Sequence, residues 1–373
     1  MNTNLARSLS CIVIVSFALV TLLTACEKKA KRSKFKVVKV EKIPSKAPLK
    51  RKPRVPEQIK KDKNSLLGGE RGLDHVGIAV RELDAAGKHY AGKLGFGNPQ
   101  PGKLPNGLSN INFYFGDTTY LELLNAYDAK KNPWVSGFLN KYESGALFAV
   151  LTTYAYGLSA AFLHRAGHPV GKPLPGRIEA KGVKRSKRPL WHTFYFKPWA
   201  LPGNVNNLYF ITYYRGMRNA ILAKLKDDVL RRKTFVHANT ALGVSATWMA
   251  VKNLKSAQKA YAAIGLDQAH KVIMDKRFAA KALAVKAGEG HLLLLQPKRS
   301  GKGPVAHFIK RRGEGIVGLS VRVEKLETAH EVVQKGLGEK LALHPGAFGK
   351  AFVLPPEKTY GVWLEFVQSK TDK

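Results

Sequence analysis

From Leu73 onward the hydrophobic and polar positions repeat as a unit. An apolar strand comes first, then an amphipathic stretch that stops at glycine, then short β-rich runs. The first unit opens on "LDHVGIAVRELDAAGKHYAGKLGF", Leu73 to Phe96. The others open near Gly145 ("GALFAVLTTYAYGLSAAF"), at Gly243 ("GVSATWMAVKNLKSAQKAYAAIGL") and at Gly315 ("GIVGLSVRVEKLETAHEVVQKGLG"). The first and third align best. Leu83 and Leu254 enter the helices, Asp84 and Ser256 are the candidate caps, and Gly95 and Gly265 follow the ends. Later strands are expected at Ile111–Phe115 and Tyr120–Leu124 in the first unit, with the strand before them poorly marked. In the third they are expected at Lys271–Met274, Ala282–Val285 and His291–Leu295. Each unit therefore reads β-α-β-β-β. One such curved sheet leaves its concave face unburied, so units should pair into half-open barrels. The predicted class is α+β: four modules, two barrels, two cavities.

The segment before the repeats reads differently. Met1 to Ala25 carries an apolar run from Cys11 that is too short to span a bilayer comfortably, in the shape of an export signal. "LTAC", ending at Cys26, resembles the lipobox of bacterial lipoproteins. The resemblance implies lipidation of Cys26, a bacterial cell envelope location and a periplasm-facing chain, on the outer membrane rather than the inner. Only two cysteines occur, Cys11 and Cys26. Loss of one with the signal and acylation of the other would leave no thiol for a disulfide, a zinc–thiolate site or a cysteine nucleophile. Residues 26–65 form a Lys/Arg-rich, proline-punctuated linker predicted to be disordered. The expected divisions are 1–25 signal peptide, 26–65 lipidated cysteine and tether, 66–232 first domain and 233–373 second domain.

Composition adds one constraint. The 373-residue chain carries a formal charge of +37, which favours anionic partners. Export argues against nucleic acid, leaving anionic lipid or cell-wall polymer. The plainer reading of the tether is a solvated spacer.

The strand "LDHVGIAVREL" with "FYFGDTTYLELLNAYD" (Phe113 to Asp128) resembles the vicinal oxygen chelate superfamily, in its glyoxalase-like branch. "FVHANTALGV" (Phe235 to Val244) resembles the opening of that branch's second half. The resemblance implies a divalent metal held in the cavity by first- and last-strand residues, here His75 and Glu122. Imidazole and carboxylate suit Fe(II), Mn(II), Zn(II) or Ni(II). The partner unit offers only Phe148, Ala149 and Val150, then Phe210, Ile211 and Thr212, with His192 as a candidate third ligand from a middle strand. A second site would rest on Glu365, with first-strand places near Ala246 and Gly318 and with His291 out of register. Trp191, His192, His237 and Asn239 are candidate substrate contacts, and the aromatic "WHTFYFKPW" (Trp191 to Trp199) is a candidate pocket wall. The basic loop Gly176–Pro189 reads as solvated surface. Three functions remain open. The first is a metal-assisted isomerase, lyase or dioxygenase acting on vicinal oxygens. The second is a small-molecule-sequestering protein without catalysis. The third is an envelope protein adhering to anionic polymer.

Overall fold

The computed structural model describes residues 66–176, 189–196, 207–270, 272–298 and 301–368. The expected signal, Cys26 and tether lie outside them, as do Trp199 and most of the basic loop. No helix among the described residues is long and apolar enough to cross a membrane.

The first half contains β1 (Leu73–Val80), α1 (Leu83–Lys88, continuing as one π-helical turn, His89–Lys93), β2 (Gln100–Lys103), β3 (Leu108–Tyr114), β4 (Tyr120–Ala126) and α2 (Pro133–Tyr142). It goes on through β5 (Ser144–Thr152), α3 (Tyr156–Arg165), β6 (Leu174–Gly176), β7 (Trp191–Tyr195) and β8 (Leu208–Tyr213). Two helices, α4 (Arg215–Lys226) and α5 (Asp228–Phe235), lead to the second half. There β9 (Ala241–Ala250), α6 (Leu254–Ala263), β10 (Ile273–Asp275), β11 (Ala280–Ala287), β12 (Gly290–Pro297) and α7 (Pro304–Arg312) are followed by the last unit. That unit is β13 (Gly315–Val323), α8 (Leu326–Leu337), β14 (His344–Gly346), β15 (Gly349–Leu354) and β16 (Trp363–Gln368).

The two sheets have the same order. The first is β2-β3-β4-β1-β5-β8-β7-β6 and the second is β10-β11-β12-β9-β13-β16-β15-β14. In each, the first strands of two modules pair antiparallel at the centre, and each lies parallel to the last strand of its own module. The four expected β-α-β-β-β modules are present, including the faintly marked β2.

Local signals explain the helix ends, with one correction. Neither Asp84 nor Ser256 caps its helix. Glu82 stands at the α1 N-cap without a side-chain bond, and Asn253 caps α6 by accepting from the Ser256 N–H. Gly95 and Gly265 follow the helices at φ +75° and +85°, where a Cβ would be strained.

Strand alternation sorts the side chains into two kinds of core. Val76, Ile78 and Val80 of β1 join Met249 of β9, Leu319 of β13 and buried residues of α1, α3, α6 and α8 in one continuous cluster that spans both sheets. Phe96 of the first half stacks on Phe366 of the second at 5.6 Å. The opposite faces are concave, and each is partly filled by the helix that joins its two modules. Val135 and Leu139 of α2 pack on Ala79, Leu124, Phe148 and Ile211. Val305 of α7, with Phe308 and Ile309, packs with Ala246, Trp248, Phe278 and Leu293. Both joining helices start with proline at the first turn, where the missing N–H costs nothing.

Candidate functional site

The concave face of the first sheet holds the polar cluster. His75 ↔ Tyr120 and Gly77 ↔ Glu122 are parallel partners on β1 and β4, so His75, Tyr120 and Glu122 share one face. His75 is buried, and its Nε2 lies 3.6 Å from Glu122 Oε2. Its Nδ1 lies 2.6 Å from Asp74 Oδ1. Neighbours on a strand normally point to opposite faces, but a register shift between Leu73 and His75 brings Asp74 beside its neighbour. Tyr213 donates to the same Asp74 oxygen at 3.0 Å, and Tyr120 stacks on the imidazole at 4.2 Å. Glu122 Oε1 accepts from Asn110 Nδ2 at 2.7 Å. The structure thus unites His75 and Glu122 and adds Asp74, Tyr120, Tyr213 and Asn110, which sequence reasoning missed.

The wall opposite is aromatic. Register places Phe148 of β5 and Tyr209 of β8 where His75 and Glu122 stand in the first module. Their rings stack at 5.2 Å, and Trp134 of α2 stacks on both, at 6.0 and 5.9 Å. Phe148 lies over Gly77, where a Cβ would come within 2.3 Å of its ring. The last-strand candidates Phe210, Ile211 and Thr212 missed Tyr209 by one residue, and one residue reverses the face.

Burial pushes the Tyr114 phenol up to about 12, with Glu122 and Asp74 adding to the shift. Burial also drives Tyr120 and Tyr213 well above the usual phenol range, with neighbouring phenols and carboxylates adding to it. These hydroxyls remain protonated donors. Asn110 Oδ1 and Asn112 Oδ1 are buried without a partner among the described residues, a costly state unless something donates to them.

The donor set decides how well the superfamily's metal fits. Asp74 orients His75 as an outer-shell carboxylate orients a ligating imidazole. Only Nε2 and the Glu122 carboxylate then converge, and the positions across from them are a phenyl ring and a protonated phenol. Among the described residues no three His, Cys, Asp or Glu side chains form a metal-holding group. Two protein donors leave the remaining positions of any ion to water or to a ligand's own oxygens.

His192 does not join this cluster. It pairs with Thr212 while its neighbours Trp191 and Thr193 pair with Tyr213 and Ile211, so it faces away from the concave side, with Nδ1 2.9 Å from the Tyr214 hydroxyl. Trp191 does face inward and packs beside Tyr209 and Tyr213. The expected contacts His237 and Asn239 lie instead at the seam between halves. His237 Nε2 bonds the Tyr114 carbonyl at 2.9 Å, and burial lowers its pKa to about 4. Asn239 donates to the Leu94 carbonyl and accepts from the Ala241 N–H, fully buried. Asn239 ties the start of β9 to the turn after α1, His237 ties the same stretch to the end of β3, and neither joins the His75–Glu122 cluster.

The second concave face is closed. Gly318 stands where His75 stands, and Trp248 covers it, with Phe278 and Trp363 in edge contact beyond. Glu365 occupies the last-strand ligand place but is fully buried, and both oxygens are engaged. Oε1 accepts from Arg277 Nη1 at 2.8 Å, and Oε2 from Ser320 Oγ at 2.7 Å. Arg277 also forks onto Asp275 at 3.0 and 2.6 Å. Burial raises the Glu365 pKa and Arg277 pulls it back. The guanidinium stands where a cation would have to bind, which corrects the expectation of a second site on Glu365.

Two solved structures share this architecture. A hypothetical protein from Staphylococcus aureus matches with TM-score 0.52 and 12% identity, over 80% of this chain and 98% of its own. A triple mutant of 4-hydroxymandelate synthase from Streptomyces coelicolor matches with TM-score 0.54 and 11% identity, over 82% and 94%. At such identities they show the fold alone. No curated protein matches the sequence. The model of the glyoxalase-like domain matches residues 73–265, slightly more than half of the chain. The chain belongs to the glyoxalase-like domain family.

Proposed function

We propose that this is an exported, lipid-anchored protein that binds a small planar, oxygen-bearing molecule in the concave face of its first half. One observation carries the reading: Asp74 fixes His75 so that Nε2 and the Glu122 carboxylate face the Phe148–Tyr209 stack from 3.6 Å apart. A flat ligand would lie on the aromatic wall. Its oxygens would meet Nε2, Glu122 and the protonated phenols of Tyr120 and Tyr213. The unpartnered Asn110 and Asn112 oxygens would accept from its hydroxyls. The same groups could move a proton on the ligand. His75 would take or give it at Nε2 while Asp74 stabilises the charged ring.

The second reading is a divalent metal, Fe, Mn, Zn or Ni, held by His75 and Glu122 and completed by the ligand's own vicinal oxygens. The Asp74–His75 pairing favours it. Such an ion would supply Lewis-acid stabilisation of an enolate-like or catecholate charge. Titration of a panel of catechols and α-hydroxyketones, followed by tyrosine and tryptophan fluorescence, tests the first reading. Binding by wild type that falls at least tenfold in Glu122→Ala supports it, whereas equal affinity in both proteins overturns it. Affinity that requires added metal moves the assignment to the second reading.

Acylation at Cys26 would place this site at the periplasmic face of the envelope, and the basic tether would act as a spacer that also adheres to anionic lipid or wall polymer. A cell grown with labelled fatty acid should label the chain, and Cys26→Ala should not be labelled. Label retained in Cys26→Ala would refute the anchor. Deleting Lys28 to Lys63 should abolish polymer adhesion and leave small-molecule affinity unchanged.

A further inference from the structure

Two histidines of the second half face each other outside the site described above. His291 opens β12 and pairs with Ala246, the place that Tyr120 holds in the first half. His270 follows α6 and is fixed by its own N–H to the Ala284 carbonyl at 2.9 Å and by the bridge between Ala269 and Val285. Their Nε2 atoms face each other at 3.2 Å, with ring centroids 5.2 Å apart and planes inclined at 43°. Phe348 flanks His291 at 5.0 Å.

As neutral rings the two can share one hydrogen bond. The same spacing also matches two imidazoles on one ion. Metal–nitrogen bonds of ~2.0–2.1 Å at a tetrahedral angle put the nitrogens about 3.3–3.4 Å apart. The rings come from different segments that backbone bonds hold in place, so little ordering is needed.

We propose that His270 and His291 form a site for a late first-row divalent cation, Ni2+, Cu2+ or Zn2+, bound through both Nε2 atoms. No third His, Cys, Asp or Glu joins them among the described residues, so the ion keeps open positions for water or for a second ligand. Imidazole pairs suit these ions and not Mg2+ or Ca2+. Lys286 lies directly across from His291 and opposes cation binding. The site is separate from His75 and Glu122 and stands whether or not that pair holds a metal.

Calorimetric titration of the full chain with Zn2+ and Ni2+ at neutral pH tests the proposal. One site should weaken in His270→Gln and in His291→Gln by at least the ~10–100-fold that loss of even an outer-shell partner costs. The double variant should lose no more than either single one, because one remaining imidazole is not a chelate. Lys286→Ala should tighten the site, and His75→Gln should leave it unchanged. Wild-type titration without such a site, or single variants that titrate like wild type, would overturn the proposal. Should a histidine variant misfold, Zn2+ must still raise the Tm of wild type, and raise it more in Lys286→Ala. Absence of both shifts counts against the site.

Discussion

The two halves share a topology strand for strand and treat their concave faces in opposite ways. In the first, Gly77 makes room for Phe148, and the positions beside it keep His75 and Glu122. In the second the glycine is Gly318, at the place of the histidine itself, and Trp248 fills the space. Removing the histidine leaves one carboxylate in an apolar interior. A lone buried carboxylate is costly, and Arg277 meets that cost by pairing Glu365 with a fixed cation. On the second concave face Glu365 has both oxygens engaged, whereas beside Glu122 the first leaves the Asn110 and Asn112 side-chain oxygens unpartnered among the described residues. The general lesson is that a carboxylate at an expected ligand place is not by itself half a site. Its neighbours convert it into structure.

The comparison breaks most clearly at Arg277. Arg277→Met strands Glu365 and Asp275, both buried, and should cost ~3–5 kcal/mol by urea denaturation at neutral pH. Burial already holds the Glu365 pKa above its unfolded value, and loss of the arginine raises it further. The folded variant therefore binds the proton first. Its stability should recover as pH falls through that raised pKa and decline as pH rises. Glu365→Gln in the same chain should restore much of the loss. Trp248→Ala should cost about 3–5 kcal/mol by the same measurement, from a cavity over Gly318 and the loss of the indole bond to Ser320 at 2.8 Å.

His237 tests the seam. Its folded pKa of about 4 lies below the ordinary 6.5, so the unfolded chain binds the proton first. Stability is complete above pH ~6.5 and falls toward pH 4, by ~3 kcal/mol in all. His237→Gln should flatten that window in a pH series of thermal melts. The smallest effect is expected in the first half. Glu122→Gln keeps an acceptor for Asn110 and should shift stability by less than ~1 kcal/mol while weakening ligand affinity. A loss as large as that of Arg277→Met would show that the first face, too, is structural.

Much of the fold was legible because its signals are local. The apolar strand, the helical spacing and the glycine stop recur within about 25 residues in each unit. β2 was faint because "QPGK" offers no apolar alternation. Part of the site was legible as well, since His75 and Glu122 occupy matching strand positions. Its other members were not. Asp74 depends on a bulge, Tyr209 on a one-residue register, and Tyr213 on the sheet closing round to β1. His237 and Asn239 read as cavity residues because their stretch resembles a substrate border. The turn at Leu94–Gly95 and the Tyr114 carbonyl, distant in sequence, claim them instead.

The sequence alone determined four repeated modules, their pairing into two half-barrels and the one histidine–carboxylate pair worth following. Periodicity and residue type suffice for these. Only the tertiary structure decided that α2 and α7 would enter the concave faces, that Arg277 would neutralise Glu365, and that His270 would meet His291. Each of these depends on contacts between segments brought together by folding, where burial makes an unpaired charge or donor expensive and the nearest partner settles its role.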